Sequence, residues 1–405
     1  MHILDDRPPL SMRAASCAAA RRTAWRAWRG AAPAAGAVAL AVWLAGCAYG
    51  PSPKGAQPGA GWSSRPGQVL PGTGTQHAKT RWVQVPWDDL PGFDADDTAD
   101  AWNGWIHNCE RPSPVFAPLC DEARRMSLAT PEEQRAWMRA RLQPYRVEPT
   151  SGGDAPGLLT AYFEPYFQAT RTRQPGFDAP IYAPPPGLAQ RNPWYTRQEM
   201  AANDAVRAQL AGSAIAWMAD PVDAMILQIQ GSGQLLITEA DGSQHLARLT
   251  FAGSNGQPYR SPGKWLLDQG AVRDATWPGI KAWLTANPAR VNEFLWSNPR
   301  VVFFREQDLP PLDAQFGPPG AQGVALTPGR SIAVDPQSIP LGTPVWLASS
   351  GPQANLQRLM FAQDTGSAIT GALRADYFTG SGAQAGELAG RLKQPLRLWV
   401  LWPKS

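Results

Sequence analysis

Histidine and cysteine are scarce in this sequence, four of each among 405 residues. His77, His107 and His245 show none of the paired spacing that a metal site uses, so no metal centre is expected. A basic excess is also missing once its origin is traced. The formal charge is +4, but Arg7, Arg13, Arg21, Arg22, Arg26 and Arg29 all precede an apolar stretch near residue 40, against only Asp5 and Asp6. Setting those six arginines and two aspartates aside from 37 basic and 33 acidic residues leaves 31 of each. A neutral body lacks the basic surface of a nucleic-acid binder, so no nucleic-acid partner is expected. The apolar run at 31–45 is shorter than a comfortable membrane span. No internal repeat divides the chain.

What is present begins with export. The arginine-rich start runs through Ala31–Ala45 into Leu44-Ala45-Gly46-Cys47, the pattern of a signal peptide covering 1–46. The Leu-Ala-Gly-Cys string resembles the bacterial lipobox, which implies lipidation of Cys47. Ala48 rather than Asp follows, and by resemblance to lipoprotein sorting this implies the periplasmic face of the outer membrane. An ordinary secretory signal is the plainer alternative, and Met12 is a second possible start. Cys17 lies in the leader, leaving Cys109 and Cys120 flanking Arg111-Pro112-Ser113-Pro114. In an oxidising compartment those two are expected to form a disulfide.

Residues 47–85 are rich in Gly, Pro, Ser and Gln and read as a tether, with order beginning near Trp82. A partly helical segment is expected over 97–119. The Thr130-Pro131-Glu132-Glu133 capping box predicts a helix to about Leu142, and Thr196-Arg197-Gln198-Glu199 predicts a second. A third is expected over 278–295. Strands are expected at Leu158–Phe163, Ala224–Gln230 and Leu235–Thr238, the last followed by an Asp241-Gly242 hairpin turn. Short strands then recur at 301–304, 331–334, 345–348, 359–363 and 396–401, a spacing that suggests a small barrel.

Three aspartates in the C-terminal third carry the chemistry that can be read. Asp335 lies in Ala333-Val334-Asp335-Pro336, Asp364 in Ala362-Gln363-Asp364-Thr365-Gly366, and Asp376 in Arg374-Ala375-Asp376-Tyr377. An acid held protonated by apolar or like-charged surroundings suits glycosidic cleavage. Turn-capping is the commoner fate of such aspartates. Asp-Thr-Gly is also the triplet of aspartic proteases, but those need two copies, and only one is present.

The three aspartates resemble the 3D domain that ends the membrane-bound lytic murein transglycosylase A family. Gly157–Pro165, Ile229-Gln230-Gly231-Ser232-Gly233, Ala252–Ser261 and Asn298–Phe304 resemble the same family's preceding domain, in order. The resemblance implies a mainly β fold with peripheral helices. It implies a double-psi β-barrel, 86–157 with 298–405, interrupted by an inserted β-domain, 158–297, with a substrate groove between. It further implies a peptidoglycan lytic transglycosylase without cofactor, acting as a monomer on glycan strands, with Asp364 as its single catalytic carboxyl group. Assembly with cell-wall synthesis or division proteins is a further expectation. Asp335 and Asp376 are candidates for tuning Asp364 or for tying loops. Candidate substrate-binding residues are Tyr162, Gln228, Gln230, Ser232, Tyr259 and Arg260. Glu164 departs from the family's small polar residue; a groove-lining extra acid is one reading, and exposure at the surface is the one expected. A water-using muramidase and a non-catalytic wall-binding lipoprotein remain alternatives.

Overall fold

The computed structural model describes residues 75–76, 78–152 and 156–404; Cys47 and the leader lie outside them. The N-terminal strands are β1 (Thr75–Gln76), β2 (Thr80–Gln84), β3 (Leu142–Pro149) and β4 (Gly157–Glu164). Next come β5 (Tyr166–Thr170), β6 (Ala179–Tyr182), β7 (Ala214–Met218), β8 (Ser232–Thr238), β9 (Gln244–Ser254) and β10 (Val302–Asp308). The last five are β11 (Ser331–Val334), β12 (Thr343–Ser350), β13 (Asn355–Asp364), β14 (Arg374–Ser381) and β15 (Lys393–Pro403). They form two sheets, one ordered β1-β2-β3-β15-β12-β13-β11-β14-β4 and the other β10-β9-β8-β5-β7-β6.

A further pairing of β4 with β15 turns part of the first sheet into a ring. The 11-residue β15 makes this possible by splitting its partners: Lys393–Leu396 pairs with β4, and Trp399–Pro403 pairs with β3. Six strands thus close on themselves in the order β15-β12-β13-β11-β14-β4. Inside lie Leu159, Ile332, Val334, Val345, Leu347, Met360, Ala362, Ala375 and Val400. Strand periodicity puts intervening residues on the outer face. There Trp346, Ala348 and Phe361 pack with Trp102, Trp105 and Met138 from the helices Ala99–Asn108 and Pro131–Arg141. The tryptophans Trp82, Trp102, Trp105, Trp346 and Trp399 are core residues.

The capping boxes form as expected. Thr130 and Thr196 each accept from the Glu three residues on, and Glu133 and Glu199 return the bond to the cap backbone. The Asp241-Gly242 turn joins β8 to β9, with Gly242 at φ +84°. Cys109 and Cys120 are disulfide-bonded, their Cα atoms 5.5 Å apart.

Two expectations of secondary structure fail, each for a physical reason. The segment 224–230 is the end of a helix, Pro221–Gln230, not a strand. Asp220 accepts from the Val222 N–H, Pro221 opens the first turn, and Gly231 at φ +82° ends the last. Its apolar run shows no period because Val222, Ala224, Met225, Ile226 and Leu227 are all buried, and such a run fits strand and helix equally. The single helix expected over 278–295 is broken near Asn287-Pro288 into Trp277–Ala286 and Val291–Trp296. Strand β4 belongs to the barrel sheet and β10 to the second sheet.

The disulfide closes a loop with a sequence separation of 11 residues. Replacing both cysteines by serine is expected to lower unfolding free energy by about 2–3 kcal/mol. Denaturant unfolding without reductant measures this, and an unchanged midpoint would mean that packing alone holds the loop.

Candidate active site

Register brings two of the three aspartates together. Ala333 of β11 pairs with Asp364 on one side and with Asp376 on the other. Asp376 in turn pairs with Thr160 of β4. Strict alternation along β13 would turn Asp364 inward with Met360 and Ala362. The ladder with β11 instead shifts between Ile332 and Ala333, leaving Gln363 as an extra residue. A bulge of this kind re-aims the side chain that follows it. Asp364 therefore emerges on the outer face beside Ala333 and Asp376. Buried Gln363 anchors the bulge: its amide donates to the Gly104 carbonyl at 3.2 Å, and its oxygen accepts from the Ser331 hydroxyl at 2.6 Å.

Both Asp364 oxygens are held. The Tyr162 hydroxyl donates to Oδ2 at 2.9 Å, and the Ala321 N–H donates to Oδ1 at 2.9 Å. Burial raises the Asp364 carboxyl above its ordinary value. Bonds from the Thr365 backbone, Tyr162 and Ala321 pull the other way, and the Asp376 charge adds to the rise. Tyr162 is pushed well up by burial and by the neighbouring Asp364, so it stays a hydrogen-bond donor at neutral pH. Asp376 is also raised, chiefly by burial, against a bond from the Thr160 hydroxyl and the charge of Arg374. Arg374 donates to Thr160 Oγ1 at 2.7 Å, completing a chain from guanidinium to hydroxyl to carboxylate. Tyr259, from the segment between β9 and the next helix, is raised by burial and lies within the field of Asp376.

The other expected residues sit differently. Asp335 is buried and bound to Lys79 Nζ at 2.8 Å and to the N–H groups of Gly371 and Gln337 at 2.8 and 3.0 Å. Burial pushes its carboxyl up, but these three donors outweigh it and hold it below its ordinary value. Gln228 is buried, its oxygen accepting from Arg197 Nη2 at 2.7 Å. The Gln230 oxygen accepts from the Phe163 N–H at 3.0 Å, which steadies β4 next to Tyr162. Ser232 opens β8 opposite Thr250, and Arg260 is exposed, with its N–H on Asn298 Oδ1 at 3.3 Å. Glu164, expected at the surface, is fully buried against Arg248. Thr160 and the Ala321 N–H had no signal of their own; Thr160 reaches Asp376 across 216 residues and Ala321 reaches Asp364 across 43, while Arg374, two residues before Asp376, joins them through Thr160. Among the described residues, no three His, Cys, Asp or Glu side chains group as metal ligands would. None of the described helices is long and apolar enough to cross a membrane.

Comparison with known proteins agrees with this architecture. The profile of the MltA specific insert domain matches residues 158–305, and that of the 3D domain matches 330–402. A lytic transglycosylase of Burkholderia pseudomallei, LtgG, is 40% identical at a TM-score of 0.57, over 84% of this chain and 100% of that structure. The chain belongs to the membrane-bound lytic murein transglycosylase A family. The family member of Escherichia coli K12 is 37% identical over 253 residues, which span 60% of this chain and 65% of that protein. A structure of E. coli MltA with bound chitohexaose aligns at a TM-score of 0.61 and 29% identity, over 76% of this chain and 90% of that one. The match to the insert profile starts within β4 and stops within β10.

The raised Asp364 carboxyl has a stability consequence. Its protonated form favours folding, so this contribution is full below the unfolded-state value of about 4 and is lost as pH rises through the higher folded-state value. Asp364→Asn is therefore expected to stabilise the protein at neutral pH and to lose that advantage below about pH 4. Denaturant melts at both pH values measure this. A variant less stable than wild type at neutral pH would contradict it.

Proposed function

We propose that this chain is a lytic transglycosylase that cleaves the β-1,4 bond between N-acetylmuramic acid and N-acetylglucosamine in peptidoglycan, with Asp364 as acid and then base. The observation that carries the reading is the setting of Asp364. It is an acid lifted by burial, its oxygens oriented by Tyr162, Ala321 and the Thr365 backbone, on the outer face of the barrel where β4 leads into the insert. Family membership supplies the substrate class, and the chitohexaose held by the E. coli relative is a β-linked amino-sugar chain of the same kind.

Protonated Asp364 donates to the glycosidic oxygen as the C1–O bond breaks, leaving positive charge at the muramoyl C1. The resulting carboxylate takes the proton of the muramoyl C6 hydroxyl, and the C6 oxygen bonds to C1. The products are a free N-acetylglucosamine 4-hydroxyl and a 1,6-anhydromuramic end, with no water consumed. Acid and base are one group in turn, as in retaining glycosidases. Tyr162 and Ala321 keep the carboxyl facing the bond in both states. Asp376 supports Asp364 through its charge, while Asp335, tied to Lys79 and two backbone N–H groups, serves the loops around it. Tyr259, within the field of Asp376, is a substrate-binding candidate.

The six-strand ring fits a double-psi barrel, since β4–β14 and β11–β13 are both parallel pairs. Lipidation at Cys47 would tether this body to the outer membrane, facing the wall. Digestion of sacculi followed by mass spectrometry tests the reading: 1,6-anhydromuramic ends support it, and reducing muramic ends would make the enzyme a hydrolase. Asp364→Asn is expected to reduce turnover about 10²–10⁴-fold while leaving glycan binding intact; near wild-type turnover would remove Asp364 from its role. For the anchor, Cys47→Ala is expected to move the protein from the membrane fraction to the soluble periplasm.

A further inference from the structure

Glu164 and Arg248 form a buried ion pair at the junction of the two sheets, and the proposed chemistry makes no use of it. Glu164 ends β4, two residues beyond Tyr162. Arg248, from β9 of the second sheet, donates from Nε to Oε1 at 2.7 Å and from Nη2 to Oε2 at 3.2 Å. Gln234 of β8 donates to Oε2 at 2.9 Å, and Ser381 of β14 donates to the same oxygen at 2.7 Å. Every partner of this carboxylate is a side chain from another strand.

The same groups reach a third element, the segment between β10 and β11. Arg248 Nη2 donates to the Phe316 carbonyl at 2.6 Å, and Gln234 Nε2 donates to the Ala314 carbonyl at 3.2 Å. Five residues beyond Phe316, Ala321 offers its N–H to Asp364. Apolar burial does not hold the start of this segment, because Leu312 is 79% exposed and Phe316 48%. Beyond it the path is tight. A Cβ at Gly317 would collide with the Leu326 carbonyl, the Leu326 N–H donates to the Pro318 carbonyl at 3.0 Å, and the Gln322 N–H donates to the Gln363 carbonyl at 3.0 Å. The polar clamp at 314–316 fixes the start of this path, and the Gln322 bond to β13 fixes its end. Two of the three donors to Asp364 thus trace to one pair, Tyr162 through β4 and Ala321 through the clamped segment, while the third, the Thr365 backbone, is local.

We propose that the buried Glu164–Arg248 pair is a positioning device for Asp364, fixing the end of β4 and the 314–321 segment so that Tyr162 and Ala321 meet its two oxygens. The proposal rests on the reading of Asp364 as the acid. Buried ion pairs seldom add net stability over apolar residues, so a geometric role accounts for this one better than a stabilising role.

The test is Arg248→Lys in the full-length enzyme, assayed on purified sacculi across pH. Lysine keeps the charge but lacks the fork that reaches Glu164 and the Phe316 carbonyl together. Loss of the Ala321 donor leaves the Asp364 carboxylate less stabilised, so its carboxyl titrates higher. The expected result is a kcat about tenfold lower, a KM within about twofold, and a basic limb of kcat/KM displaced to higher pH. A basic limb at the wild-type position would overturn the proposal, even with a lower melting temperature. If Arg248→Lys does not fold, Glu164→Gln with Arg248→Met removes the pair without stranding a buried charge, and the same limb is read. Asp364→Asn, run in parallel, separates the two levels. An inactive Asp364→Asn with an unmoved limb in the pair variant refutes the positioning role alone, whereas an active Asp364→Asn refutes both.

Discussion

The pairing of β4 with two strands at once is the constraint on which the rest depends. Antiparallel to β15 and parallel to β14, it closes the six-strand ring. Alternation along it then divides its labour. Leu159 and Ala161 pack against the barrel interior, while Thr160, Tyr162 and Glu164 stand on the other side. Those three side chains contact Asp376, Asp364 and Arg248 respectively. One strand of eight residues therefore builds the core, the acid's partner and the junction with the insert.

A local irregularity in the barrel sets where Asp364 points. A regular β13 would bury Asp364 among Met360 and Ala362, where a carboxyl group would cost much and reach nothing. The bulge at Gln363 spends one residue to turn the next outward, and the helix Ala99–Asn108 secures that residue through the Gly104 carbonyl. The disulfide at Cys109 begins where this helix ends, so the staple and the bulge share one support. Burial at the barrel surface then raises the Asp364 carboxyl.

Much of the architecture was legible residue by residue. Thr130 and Thr196 announced their helices because a capping box is a local arrangement of four residues. Asp241-Gly242 announced a hairpin for the same reason. The helix at 221–230 carried its own signals, Asp220-Pro221 before and Gly231 after, but the fully apolar run between them obscured its period. Glu164 was misplaced because its burial depends on Arg248, which lies 84 residues away. Nothing adjacent to a glutamate reports a partner at that distance.

By itself the sequence determined the punctuation and the inventory: caps, turns, short apolar strands, the pairing of Cys109 with Cys120, and three aspartates in an ordered set of family segments. These follow from interactions within a few residues, or from the small number of cysteines available. Only the tertiary structure decided which aspartates meet. Asp364 and Asp376 come together through register across β11, while Asp335, one residue past the end of that strand, turns to Lys79 instead. Register and bulges are set by cross-strand pairing between residues tens to hundreds of positions apart, and a shift of one residue reverses every side chain's face.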